Sequence, residues 1–224
     1  MIKLEVCCAD IESVVAAKKA GAHRIELCSA LEVGGITPSI GLIEKAVEIF
    51  GNGVMVLIRE RAGDFVYSPL ELEVMGDDIE AARKAGVSGV VIGALNPSGE
   101  IDENALNYLT TKSKGLDITF HRAFDEVKDP YAALEKIIAS GCNRILTSGQ
   151  KATAMEGLQL IKELNQRSNG RIIIMPGSGV TNENAGFILK ESGCCEIHAS
   201  AKEKSNSTWK SSFEEIIKIK KDIQ

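Results

Sequence analysis

Lys19-Ala-Gly-Ala-His-Arg-Ile-Glu-Leu27 decides the fold. A helix-forming stretch ends at Gly21, and a short β-branched run follows at once. The same form returns three times, as Lys84-Ala-Gly-Val-Ser-Gly-Val-Val-Ile92, Ala139-Ser-Gly-Cys-Asn-Arg-Ile-Leu146 and Glu191-Ser-Gly-Cys-Cys-Glu-Ile-His-Ala199. In each, a glycine stands where a helix must end in the left-handed region. Gly21, Gly86, Gly141 and Gly193 recur at roughly a quarter of the chain, which leaves room for one further helix and strand between successive copies. The copies therefore mark strands 2, 4, 6 and 8 of eight.

Working outward, strands are predicted over 3–7, 24–28, 54–59, 89–93, 117–121, 144–147, 171–175 and 196–199. Helices are predicted over 11–20, 39–50, 70–85, 102–113, 130–140, 153–166, 182–192 and 211–222. Pro38, Pro69 and Pro130 fall at or just before helix starts, where a missing N–H is harmless. Asp10, Asp129 and Thr181 occupy N-cap positions. Such alternation predicts parallel βαβ units, and eight of them suggest a single-domain (β/α)8 TIM barrel over 1–224. A doubly wound open sheet is the alternative that pattern alone allows.

Composition agrees. Hydrophobic residues make up 44% of the 224 and aromatics only 4%, so the core must be built from Val, Ile, Leu and Ala. The formal charge of −5, with no basic block, argues against a nucleic-acid partner. Lys218, Lys220 and Lys221 alternate with Glu214, Glu215 and Asp222 and read as a solvated helix face. No apolar run reaches the ~18 residues a membrane span needs, and no leader is visible at the start, so a cytoplasmic location is expected. The six cysteines include no Cys-x-x-Cys and are expected to be free thiols. Cys142, Cys194 and Cys195 fall before strands, at the bottom of a barrel, and read as structural.

Strand parity selects the candidate site. Leu4 and Val6 must face the helices, which turns Glu5 and Cys7 inward. By the same rule Glu26 and Cys28, Thr119 and His121, and Glu196, His198 and Ser200 point in. Strand 3 ends in Arg59, with Arg61 just beyond. Glu5, Glu26, Arg59, His121 and His198 thus converge inside one barrel, where uncompensated charge is costly. Either they neutralise one another or they serve a ligand. As catalytic candidates, Glu5 or Glu26 beside a second carboxylate can act as a base of raised pKa, and His121 and His198 as acids or carbonyl-orienting groups. Arg59 and Arg61 can clamp an anion.

Two inward thiols at the ends of adjacent strands, Cys7 and Cys28, lie within reach of one ion and suit Cu(I), with Cys8 at the rim as a further candidate. The bland alternative is that they pack as small hydrophobes. Gly177-Ser178-Gly179 follows strand 7 and precedes a helix, where barrels often hold phosphate, and Ser148 and Ser200 can add donors. No interior lysine offers a Schiff base, and no His-Glu-x-x-His, Gly-x-Ser-x-Gly or Walker motif is present.

Several stretches taken together resemble the CutC family, named for copper homeostasis. They are Glu5-Val-Cys-Cys8, Arg24-Ile-Glu-Leu-Cys28 with Gly34-Gly-Ile-Thr-Pro-Ser39, Arg59-Glu-Arg-Ala-Gly-Asp-Phe-Val-Tyr-Ser68, Thr119-Phe-His-Arg-Ala-Phe-Asp125, Ile145-Leu-Thr-Ser-Gly-Gln150 and Pro176-Gly-Ser-Gly-Val180. The resemblance implies a TIM barrel, a cytoplasmic protein, a homodimer or larger homo-oligomer, and copper at Cys7 and Cys28. It also marks Glu5, Glu26, Arg59, Asp64, His121, Arg122, Asp125 and Ser148 as motif positions, more acids and bases than a metal carrier needs. The chain departs from the family after strand 8, where Ser200-Ala-Lys-Glu-Lys-Ser-Asn-Ser-Thr-Trp209 leads almost directly into the last helix. Two readings follow. One is a copper-binding homeostasis protein. The other is a barrel enzyme doing isomerase- or lyase-type acid–base chemistry on a small phosphorylated or carboxylate substrate.

Overall fold

The computed structural model describes residues 2–202 and 210–223; the segment after strand 8 singled out above lies largely outside them. Eight strands alternate with eight helices: β1 Lys3–Cys8, β2 Arg24–Leu27, β3 Val54–Leu57, β4 Gly89–Ile92, β5 Asp117–Phe120, β6 Arg144–Thr147, β7 Ile173–Pro176 and β8 Glu196–Ala199. Every ladder is parallel, in the order β7-β6-β5-β4-β3-β2-β1-β8. β7 and β8 lie side by side at the seam, so the sheet is a nearly closed TIM barrel and not an open doubly wound sheet.

The helices are α1 Ile11–Lys19, α2 Ile40–Phe50, α3 Pro69–Lys84, α4 Glu103–Lys112, α5 Pro130–Ala139, α6 Leu158–Ser168, α7 Ala185–Ser192 and α8 Phe213–Asp222. Local chemistry explains several starts. Asp10 and Asp129 accept from the first-turn N–H groups of α1 and α5. Ser68 and Glu71 form a reciprocal capping box around Pro69 at α3. The repeat glycines Gly21, Gly86, Gly141 and Gly193 all sit at positive φ.

Of the boundaries that differ from expectation, three have a local cause. α6 begins at Leu158 rather than near 153, because the loop before it doubles back until the backbones of Gly149 and Gly157 touch; a Cβ on Gly157 would meet Ser148 O at 1.9 Å. α7 begins at Ala185 because Thr181 caps only a preceding turn: its Oγ1 accepts from Glu183 N, and its own N–H donates to Asn184 Oδ1. β7 starts at Ile173, since Arg171 still belongs to the turn leaving α6, donating from its backbone to Ser168 O.

Parity divides the core in two. Leu4, Val6, Ile25, Leu27, Val56 and Ile197 join the main cluster beneath the helices. Cys7, Cys28, Met55, Leu57 and Val91 form a separate small cluster inside the barrel. Cys8 belongs to the outer cluster, and Cys142 and Cys194 are buried in the shell near the strand starts.

Candidate functional site

The barrel interior is filled from below by ion pairs. Register sets Glu5 of β1 beside Arg24 of β2 and His198 of β8. The Arg24 guanidinium donates from Nε to Glu5 Oε2, and from Nη2 to Glu196 Oε2 at 2.6 Å. Arg144 donates to the same Glu196 oxygen at 3.1 Å and to Thr119 Oγ1 at 3.3 Å. Two arginines thus neutralise two glutamates at the base of the barrel. Burial opposes ionisation of Glu5, but Arg24 and then His198 outweigh it and bring its pKa down to about 2. The expectation that Glu5 could serve as a base of raised pKa is therefore corrected: it is a fully bonded counter-ion that does not border the cavity.

Sequence reasoning passed over Arg24 and Arg144. The signal was present, since each opens the strand of a repeated segment, two residues before an inward position, and shares its parity.

Above this layer the charge balance changes. His198 Nδ1 is 2.9 Å from Glu5 Oε1, and its Nε2 is 3.5 Å from Glu26 Oε2. Burial pushes the Glu26 carboxyl up against the pull of His198. Burial alone would lower His198, yet Glu26 and Glu5 hold its pKa above the ordinary imidazole value. Cys7 Sγ lies 3.7 Å from Cys28 Sγ, unbridged. Ligand atoms of Cys7, Glu26 and His198 all fall within 4.8 Å of one another. The neighbouring Cys28 thiol, then burial, raises the Cys7 pKa well above that of a free thiol. The donor set fits a soft ion: 3.7 Å is within the span of two metal–thiolate bonds of about 2.3 Å each. Cys8 cannot join them. It faces the helical shell, with its thiol directed to Val6 O.

These groups open onto a cavity of about 1490 Å³ at the C-terminal end of the strands, bordered also by Leu57, Arg59, Phe65, His121, Arg122, Leu146 and the loops after β7 and β8. Arg59 is 5% exposed. Its Nη1 donates to Val33 O and Gly35 O at 3.1 and 2.9 Å, its Nη2 to Gly63 O at 2.6 Å, and its guanidinium lies over the Phe65 ring. His121 accepts at Nδ1 from Ala123 N at 3.1 Å. Burial, reinforced by the Arg59 charge, lowers its pKa to about 3, so the ring is neutral with its proton on Nε2.

The expected anion cradle is only partly assembled. Ser178, Gly179 and Ser200 border the cavity, and Gly177 lies just beneath against Leu146 and His198. Ser148 is turned away: Asp125 takes its N–H and its hydroxyl, Thr147 Oγ1 bonds the same carboxylate, and Arg122 donates to that hydroxyl. Arg61 is outside the cavity, held by Glu71, Asp64 and Val66 O. Both sequence candidates fail for one reason: a nearby carboxylate satisfies them first. Of the five non-glycine residues at positive φ among the described residues, four, Ala30, Gln150, Ser178 and Ala201, lie in loops following strands at this end, and the fifth, Asn169, ends α6, so most of the backbone strain gathers around the mouth.

Comparison with known proteins agrees with this architecture. The crystal structure of the CutC protein from Streptococcus agalactiae superposes with a TM-score of 0.84 at 37% identity, covering 89% of this chain and 99% of that one. N-(5'-phosphoribosyl)anthranilate isomerase from Pyrococcus furiosus matches at a TM-score of 0.66 and 11% identity, a likeness of fold alone. A family protein CutC of Bacteroides fragilis is 50% identical over 204 residues, covering 91% of this chain and 81% of that protein. The human copper homeostasis protein cutC homolog is 47% identical over 207 residues, covering 92% and 76%. The sequence profile of the CutC family matches residues 2–203, which contain β1 to β8 and every inward residue described above; the chain belongs to the CutC family.

Proposed function

We propose that the protein is a cytoplasmic copper homeostasis protein that binds Cu(I) through Cys7 and Cys28 at the mouth of the barrel. One observation carries the reading: two unbridged thiols 3.7 Å apart, walled by Leu57 and Val91, with Glu26 and His198 at hand as further ligands. Thiolates select Cu(I) by softness, and a dry apolar wall protects the reduced ion. Six free cysteines suit a reducing compartment. The human relative is named for copper homeostasis. The test is anaerobic Cu(I) affinity, measured by competition, for the parent, Cys7→Ser and Cys28→Ser. Loss in both single variants is expected, and unchanged affinity in both removes the assignment.

A second reading, acid–base catalysis on a small anionic substrate, is favoured by the Glu26–His198 pair. Both groups border the cavity, and both pKa values are raised, Glu26 by burial and His198 by Glu26 and Glu5 against burial. A metal carrier has no need of a proton donor and acceptor set side by side above a charge-neutral floor.

A further inference from the structure

Two unsatisfied polar atoms belong to side chains on one wall of the cavity, His121 and Arg59. Among the described residues, three buried side-chain atoms lack a hydrogen bond: His121 Nε2, Arg59 Nε and Tyr67 Oη. The first two flank Phe65, which borders the cavity with them. Its ring centroid is 4.9 Å from that of His121 and 4.8 Å from Arg59 Cζ, whereas Tyr67 lies off the cavity with its ring against Arg61. Buried donors are almost always paired, so a cavity wall that leaves two of them without a partner invites a ligand that supplies one.

We propose that this wall binds a small 2-oxo carboxylate, whose carbonyl oxygen accepts from His121 Nε2–H and whose carboxylate answers the charge of Arg59. His121 is the stronger half of the case. Its Nδ1 is committed to Ala123 N, which leaves Nε2 as an N–H donor with no partner. A neutral donor beside an aromatic ring matches an uncharged acceptor. Space for the ring is made by Gly93, where a Cβ would stand 2.5 Å from His121 Cε1. Arg59 spends three of its five donors on backbone carbonyls and has no carboxylate partner among the described residues, so its charge remains to be answered. Phosphate is the weaker candidate. The groups that would surround a dianion, Arg61 and Ser148, are already bound to Glu71, Asp64 and Asp125.

The inference gives the acid–base reading a substrate class and rests on that reading for its catalytic meaning. Glu26 and His198 border the same cavity, which at about 1490 Å³ admits a small ligand with room to spare.

Pyruvate serves as the probe, titrated into the full chain labelled with 15N-histidine. With three histidines in the chain, His121→Phe assigns the resonance. The proposal expects the His121 Nε2–H signal to move and saturate with pyruvate. It expects inorganic phosphate to leave that signal in place, and His121→Phe to weaken pyruvate binding about tenfold or more. An unmoved Nε2 signal overturns the proposal whether or not the variant folds, as does an equal response to phosphate or undiminished binding by His121→Phe. Exchange of the pyruvate methyl protons in D2O is followed in the same samples. Binding at His121 without accelerated exchange upholds the ligand wall and counts against the acid–base reading. Acceleration undiminished in His121→Phe upholds that reading and overturns this inference.

Discussion

His198 joins two layers of the barrel: its Nδ1 is 2.9 Å from Glu5 Oε1 in the neutralised floor, and its Nε2 is 3.5 Å from Glu26 Oε2 at the mouth. Below it every charge has a partner of opposite sign. Above it stand a carboxyl of raised pKa, two thiols and an open cavity.

Cu(I) binding should compete with protons. The Cys28 thiol and burial hold the Cys7 thiol protonated well above its ordinary pKa, so an ion must displace that proton at neutral pH. Affinity should rise with pH by about tenfold per unit for each proton released. A competition series across pH checks this, and a flat profile excludes Cys7 as a thiolate ligand.

Cys8→Ala should leave Cu(I) affinity unchanged while lowering stability by about 1 kcal/mol, because its sulfur fills the outer core and not the cavity. Thermal unfolding and the same competition assay, run side by side, test both halves.

Glu5→Gln should destabilise the fold by about 3–5 kcal/mol, since it leaves Arg24 buried with half its anionic partners gone. The parent should respond to acid at the same place. Glu5 has a folded pKa of about 2 against an ordinary 4.5, so its contribution, on the order of 3 kcal/mol, is present above pH 4.5 and lost as the pH falls toward 2. Denaturant unfolding as a function of pH should show this slope in the parent and a shallower one in Glu5→Gln.

Gly157→Ala should cost more than about 2 kcal/mol, because the new Cβ would strike Ser148 O at 1.9 Å and force the loop after β6 open. The Asp125–Ser148 contacts should loosen with it. Faster amide exchange at Ser148 and Gln150 is the expected sign.

Much of this was legible in the chain. Four glycine-ended segments gave the strand count, and period-two alternation put Glu5, Cys7, Glu26, Cys28, His121 and His198 on the inner face, where all six are found buried. Alternation is a property of neighbours in sequence, and it says which face a residue takes. It says nothing about which residue stands opposite across the barrel. That Glu5 is bound by Arg24 and by His198, 193 positions away, and that Arg144 completes the floor was decided only when closure brought distant strands together, while Arg61 and Ser148 were claimed by Asp64, Glu71 and Asp125 once the loops around them folded. Within a closed barrel a charge must be answered by whatever lies within a few ångströms, and those neighbours are chosen by register and height, which no single strand encodes.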